Sequence, residues 1–339
     1  MTVTIAAVLD RLSAGENLTL DETSAVIDLV MQGAVRDDQI AALLTALRVK
    51  GETVEEIAGA AAAMRRHMRR IASSRPGLLD TCGTGGDGSR TFNISTAAAL
   101  VVAAAGVPVA KHGNRAASSR SGSADVLAAL GVNVAADLPR VERCLDELGI
   151  CFCFALLFHP AMKQVAEVRK RLGVPTIFNM LGPLSNPAGA SFQLLGVGKP
   201  HLRAVLAEAL RLLGTERAVV VCGDDCLDEV TIAAPTQVSE VAEGTRRDFV
   251  WRPEDFGLQP SSLESLTVDG PDASAAMIRG VLEGGEGPAR DIVIANAAAA
   301  LWTAGKSDSL RECAELAASS IDSEAARTLL ERLIALTNA

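Results

Sequence analysis

Gly83, Gly85, Gly86 and Gly88 fall within six residues, between a strand-like run, Gly77 to Asp80, and a long alanine-rich helical segment. Glycines accept positive φ and let backbone N–H groups face a ligand, while the start of a helix adds unpaired donors and the positive end of its dipole. That combination favours an anion, with phosphate as the first candidate. Asp87, Thr91, Asn93, Ser95 and Thr96 crowd the same stretch with carboxylate, hydroxyl and amide groups, a density suited to a sugar phosphate and a metal. The spacing Gly83-x-Gly85-x-x-Gly88 also meets the dinucleotide fingerprint. Such a site needs an acidic residue for the ribose about 20 residues further on. The run Val107 to Ala110 leads instead into Lys111-His112-Gly113-Asn114-Arg115, which is cationic. Read alone, the loop is equally a tight turn with an ordinary Ser/Thr cap.

Four further groups carry possible chemistry. The stretch Lys111 to Asp125 holds cations, glycines and serines at a strand end and flows into a helix at Ala124 to Leu130, making a second anion cradle. In a parallel sheet the loops after adjacent strands meet at one edge, so both cradles can face one crevice and hold two phosphates. Asp228-Glu229, preceded by Gly223-Asp224-Asp225 after the run Ala218 to Cys222, offers hard oxygen ligands for Mg²⁺; an acidic surface turn is the competing reading. Arg169, on a basic helix after His159-Pro160, could fork onto a carboxylate. Asn179 to Pro187 forms a rigid turn around Gly182-Pro183 that could wall a pocket. No Ser/His/Asp order, nucleophile elbow or P-loop lysine is visible, since Ser89 follows Gly88. The machinery therefore reads as positioning plus electrostatics.

The elements that must position these groups are legible in outline. Residues 1 to about 72 read as helices only, with capping boxes at Thr19/Glu22 and Thr53/Glu56 and an apolar face of Ile40, Leu43, Leu44 and Leu47. From about residue 73 to 339, short β-branched runs alternate with helical ones: Val107 to Ala110, Val132 to Ala135, Gly149 to Phe154, Phe192 to Gly196, Ala218 to Cys222 and Val230 to Ala233. Such alternation predicts βαβ units and a mostly parallel sheet. The segment from about 160 to 190 interrupts it and is expected to pack with the helical unit, and residues 71 to 76 make the best linker.

Composition narrows the function classes. A net charge of −9 and 3% aromatic content give neither the basic footprint nor the stacking platform of a nucleic-acid binder. Seven cysteines without framework spacing point to a reducing compartment, and four scattered histidines give structural zinc little support. The N-terminus has no basic n-region and the run Ala97 to Ala110 is too short for a span, so a cytoplasmic protein without membrane contact is expected.

Taken together, the motifs closely resemble the anthranilate phosphoribosyltransferase family. The match rests on Gly83-Thr84-Gly85-Gly86-Asp87, Asn93-Ile94-Ser95-Thr96, Lys111 to Arg115, Ser121 to Asp125, His159-Pro160-Ala161-Met162, Phe178 to Leu184 and Leu227-Asp228-Glu229, in the family's order. The resemblance implies an α/β fold of the nucleoside-phosphorylase-like class, a small all-helical domain beside a larger α/β domain with a mostly parallel sheet, and a homodimer joined through the helical domain. It implies transfer of phosphoribose from phosphoribosyl pyrophosphate to anthranilate in tryptophan synthesis. By the resemblance Gly83, Gly86, Asp87, Thr91, Asn93, Ile94, Ser95 and Thr96, and Lys111, His112, Gly113, Asn114, Arg115, Ala116, Ala117, Ser118 and Ser119 with Ser123, would hold the phosphoribosyl donor. Ser95, Asp228 and Glu229 would reach two Mg²⁺ ions, and Gly83, Asn114 and Arg169 would meet anthranilate, with no protein nucleophile or essential base. Leu156-Leu157 stand where the family often has a proline, and Pro175 where an arginine is common. A nucleoside phosphorylase and a non-catalytic, nucleic-acid-binding relative are the alternative readings.

Overall fold

The computed structural model describes residues 4–116 and 121–339. Seven strands, β1 (Leu79–Gly83), β2 (Val109–Gly113), β3 (Ile150–Phe154), β4 (Phe192–Gly196), β5 (Arg217–Gly223), β6 (Thr236–Ala242) and β7 (Thr245–Trp251), form one sheet in the order β3-β2-β1-β4-β5-β6-β7. The pairs among β1 to β5 are parallel, and β6 and β7 are antiparallel. The chain steps from β1 to β2 on one side and from β4 to β5 on the other. The order of winding therefore reverses between β1 and β4, where an open parallel sheet leaves a crevice at its carboxyl ends.

Burial on both faces explains why the parallel strands read as unbroken apolar runs. Along β5, Val219 and Val221 enter one core while Ala218, Val220 and Cys222 enter the other, the two-residue period of a strand. The first core packs under the helices Ile94–Ala104, Pro271–Leu282, Pro288–Thr303, Leu310–Asp322 and Ala325–Asn338. The second packs under Pro200–Leu212 and the N-terminal helices Ile5–Ser13, Leu20–Met31, Asp37–Lys50 and Val54–Arg66, together with Val165, Val168, Phe178 and Leu181. Arg65 Nε donates to Leu184 O at 2.7 Å, tying the last N-terminal helix to the inserted segment. Both capping boxes form, with Thr19 N donating to Glu22 at 2.9 Å and Thr53 N to Glu56 at 2.8 Å.

Several sequence expectations are corrected. β1 and β2 begin later and run further than read, so Gly83, Lys111, His112 and Gly113 are strand residues rather than loop residues. Val132 to Ala135 is not a strand: Asn133 bonds to Thr337 of the C-terminal helix through its N–H and its side-chain amide, each at 3.2 Å, and Val132 and Val134 are buried without joining the sheet. Val230 to Ala233 is not a strand either. The β6–β7 hairpin was not anticipated, although a two-residue loop at Glu243-Gly244 between β-prone runs is the local signal for one.

Candidate active site

The crevice at the winding reversal is built on β1, β2 and β4 and closed by the turn that follows β5. Gly83 of β1 is in register with Gly196 of β4, and Asp228 lies across both ends. A Cβ on Gly196 would fall 1.6 Å from Asp228 O, and one on Gly83 2.7 Å from Asp228 Oδ2. Glycine at these two positions lets the acidic turn seat itself on the sheet edge.

Asp228 and Glu229 then reach the groups that the sequence marked for an anion. Gly85 N donates to Asp228 Oδ2 at 2.8 Å, and Ser95 N, in the first turn of the helix Ile94–Ala104, donates to Glu229 Oε1 at 3.1 Å. Burial, reinforced by Asp87, pushes the Asp228 carboxyl up to about 7. Glu229 rises to about 8 through burial and the neighbouring Asp228, with Lys111 opposing. Asp87 also accepts from Ser89 N at 3.2 Å, which pins the glycine loop.

Lys111 supplies the opposing charge. It is buried on β2, its Nζ donates to Thr81 O, and it reaches Ser95 Oγ at 3.1 Å. Burial depresses its ammonium pKa, while Asp80 and then Cys82, Glu229 and Asp228 hold it up. A cation and a carboxylate thus meet at Ser95. A bare phosphate entering here would face two carboxylates, whereas a phosphate arriving with divalent cations would satisfy both. Among the described residues no three His, Cys, Asp or Glu side chains form a ready metal cage. The donor set is a carboxylate wall, which fits Mg²⁺, an ion usually held by one or two carboxylates plus substrate phosphates.

The second cradle is ordered by Asp125, whose carboxylate accepts from Ala116 N at 2.9 Å and Gly122 N at 3.1 Å and pairs with Arg115 at 2.9 Å. Arg115 is therefore already engaged, and its guanidinium also lies 5.9 Å from the Phe154 ring centre. Ser123 Oγ donates to Asn114 O at 3.4 Å. Ala117, Ser118 and Ser119 lie outside the described residues. Asn93 caps the glycine-loop helix through position rather than side chain: Ser274 Oγ accepts from its N–H at 2.9 Å and lies 3.0 Å from its Oδ1. Ile94 buries its side chain in the core, Thr96 is buried with its hydroxyl unpaired among the described residues, and Thr91 bridges to Thr267.

His112 turns away from the carboxylates. Its Nδ1 lies 2.9 Å from Gly182 O, and because a carbonyl only accepts, that nitrogen carries the proton. Its Nε2 then accepts from His159 Nε2 at 3.2 Å. Burial, aided by His159, pushes His112 down to about 3, and burial pushes His159 to about 4, so the pair is neutral near pH 7. The Gly182 turn in turn follows the short helix Phe178–Leu181, where Asn179 Oδ1 accepts from Arg169 at 3.3 Å. The Arg169 guanidinium lies 5.6 Å from the Phe178 ring centre, burial lowers its pKa, and among the described residues no carboxylate pairs with it. A half-sequestered guanidinium beside an aromatic ring is equipped for a planar carboxylate.

Sequence reasoning missed Ser274 and Asn296 and gave His159 no role. Ser274 carries no local signal. Asn296 does, as the single polar residue in the buried run Ile292 to Leu301.

Two family models, one for each part of the chain, place this fold and its crevice in the glycosyl transferase class. The family described as "Glycosyl transferase family, a/b domain" matches residues 75–327, and "Glycosyl transferase family, helical bundle domain" matches residues 6–68. The anthranilate phosphoribosyltransferase of Rhodopirellula baltica is 50% identical over 319 residues, 94% of this chain and 93% of that one. The crystal structure of the Thermus thermophilus enzyme superposes with a TM-score of 0.92 at 47% identity, covering 98% of this chain and 99% of that one. The Saccharomyces cerevisiae enzyme in complex with PRPP and Mg has a TM-score of 0.89 at 29% identity, covering 98% of both. The chain belongs to the anthranilate phosphoribosyltransferase family.

Proposed function

We propose that the crevice transfers the phosphoribosyl group of phosphoribosyl pyrophosphate to the amino nitrogen of anthranilate, giving N-(5-phosphoribosyl)anthranilate and pyrophosphate, as a step of tryptophan biosynthesis. The observation that carries this reading is the convergence on Ser95, where Lys111 Nζ meets the hydroxyl and Glu229 the N–H. Such a site takes a pyrophosphate only together with divalent cations. The glycine loop from Gly83 to Thr96 and the cradle from Lys111 to Ser123 hold the donor. Ser95, Asp228 and Glu229 hold two Mg²⁺ ions, which when bound offset the charge of the departing pyrophosphate. Arg169 takes the acceptor carboxylate, with Asn114 and Gly83 facing the acceptor ring.

Chemically, the C1–O bond to pyrophosphate breaks as the neutral aniline nitrogen forms the C1–N bond with inversion, and the amine proton becomes acidic only as that bond forms. Chemistry of this kind needs no strong base, because the chain's residues position the reactants and stabilise charge. Homodimerisation through the helical layer belongs to the same reading. A cytoplasmic setting is supported by cysteines that are all free. Among the described residues no helix is long and apolar enough to cross a membrane.

Anthranilate fluorescence followed on mixing with phosphoribosyl pyrophosphate and Mg²⁺ tests the proposal. Loss of signal that needs all three components and the protein is the expected result; persistence of the signal with a folded, donor-binding protein would overturn it.

A further inference from the structure

The two carboxylates at the crevice are only as well placed as the turn that carries them, and one hold on that turn comes from an unexpected element. The helix Pro288–Thr303 is buried along Ile292 to Thr303. Within that apolar stretch Asn296 is fully buried, and two of the three bonds of its amide leave its own helix. Its Oδ1 accepts from Val230 N at 2.8 Å, and its Nδ2 donates to Val230 O at 2.9 Å, with a second bond to Ile292 O at 2.9 Å. Val230 directly follows Glu229, so the amide grips both backbone groups of the residue next to the carboxylate pair. This is the pairing a neighbouring strand would make, and it explains why the β-branched run at Val230 to Ala233 forms no strand.

The flanks of the turn are tied within themselves, Gly223 N donating to Leu227 O at 3.0 Å, Leu227 N to Asp225 Oδ1 at 3.1 Å and Thr231 Oγ1 to Asp225 Oδ2 at 2.6 Å. Asp228 Oδ2 accepts from Gly85 N at 2.8 Å, but the backbone of the carboxylate pair itself is less well supplied. Asp228 N reaches Asp87 Oδ2 only at 3.5 Å, and Glu229 is held through the Ser95 N–H that its own carboxylate occupies. A burial cost of ~1–3 kcal/mol attends each unpaired backbone group, so Asn296 has no apolar substitute that leaves the turn in place.

We infer that Asn296 is a positioning residue that sets metal affinity by fixing the Asp228-Glu229 turn, an inference that rests on the metal-dependent donor site proposed above. It touches neither metal nor substrate. Groups that orient metal ligands in this way change affinity by ~10–100-fold when removed.

The test titrates pyrophosphate into the purified full-length protein by calorimetry across a series of Mg²⁺ concentrations, which requires no turnover. Asn296→Ala should raise the Mg²⁺ concentration for half-maximal pyrophosphate affinity by ~10-fold or more. Asn296→Asp keeps the volume and the acceptor for Val230 N but loses both donors; it should show the same direction of change and carries the test if the alanine variant does not fold. Thr303→Ala is the control, since Thr303 is buried in the same helix and its hydroxyl donates to Ala299 O at 2.7 Å, within that helix. It should lower the melting temperature without moving the Mg²⁺ requirement. A folded Asn296 variant with the wild-type Mg²⁺ requirement would overturn the inference alone. Pyrophosphate binding by the wild type that ignores Mg²⁺ would overturn both this inference and the metal assignment beneath it.

Discussion

Asp228 and Glu229 are carboxyl groups set against the N–H groups of a glycine loop and a helix start, where burial and neighbouring carboxylates raise both pKa values, so that arriving cations favour the ionised pair. Gly83 and Gly196 make this arrangement possible by leaving room for Asp228. In Gly83→Ala the new methyl would press on the Asp228 carboxylate at 2.7 Å, which must rotate off Gly85 N. The expected result is a kcat/KM for the phosphoribosyl donor lower by about 10–100-fold with a melting temperature close to wild type, because what is lost is a ligand position and not a core contact. A kcat/KM that stays at wild type would show that the Asp228 carboxylate has no role there. Arg169 belongs to the same scale. With no carboxylate partner of its own among the described residues, it should bind the acceptor, so Arg169→Ala should raise KM for anthranilate by about tenfold or more while KM for the donor changes little. Equal changes in both constants would make it a structural arginine resting on Asn179.

The element scale is governed by buried polar side chains that stand in for backbone partners. In the helical layer Glu56 is fully buried at the start of the helix Val54–Arg66, where it accepts from Leu18 N at 2.9 Å, Thr53 N at 2.8 Å and Lys50 Nζ at 2.9 Å. One carboxylate thereby closes a capping box, anchors the turn between the first two helices and neutralises a buried ammonium. Glu56→Ala strands the Leu18 and Thr53 N–H groups and leaves the Lys50 ammonium, which keeps Asn17 Oδ1 and Gly51 O, without its counter-charge. It should cost about 3–5 kcal/mol in urea unfolding, the range for a buried charge left without its partner. A loss below about 1 kcal/mol, the ordinary worth of a cap alone, would mean that Asn17 and Gly51 satisfy Lys50 without the carboxylate. The capping box itself was legible from Thr53 and Glu56 because its two members are three residues apart. The contacts to Leu18 and Lys50 were not, since one of them spans 38 residues.

For the molecule as a whole, the neutral His112–His159 pair joins β2, the start of the inserted segment and the Gly182 turn through one run of hydrogen bonds. Both histidines titrate near 6.5 when unfolded and at about 3 and about 4 when folded. Above pH 6.5 neither state is protonated and nothing is lost. As pH falls below 6.5 the unfolded chain gains protons that the folded one refuses, and stability declines until the folded pair titrates. The wild type, compared with a His112→Asn/His159→Gln double variant, should lose roughly 2–4 kcal/mol more between pH 7 and pH 5 in urea unfolding. A parallel pH dependence of the two proteins would show that the pair is already charged or open in the native state.

What this sequence determined by itself is whatever depends on neighbours along the chain. The glycine loop, the helix start at Asn93, the capping boxes and the cluster Lys111 to Arg115 are short-range patterns whose chemistry survives any packing. Alternating β-branched and alanine-rich runs were enough for a parallel sheet. Their limits show at Val132 to Ala135 and Val230 to Ala233, where buried apolar runs resemble strands but find their partners in Thr337 and Asn296. Only the tertiary structure decided that the anion-binding N–H groups are shared with Asp228 and Glu229, that Lys111 lies inside a strand, and that Ser274 and Asn296 hold the site from behind. These facts depend on contacts between residues far apart in the chain, 134 positions between Ser95 and Glu229 and 66 between Asn296 and Val230. A hydrogen bond needs two atoms within about 3 Å, and a sequence carries only half of each such pair at a time.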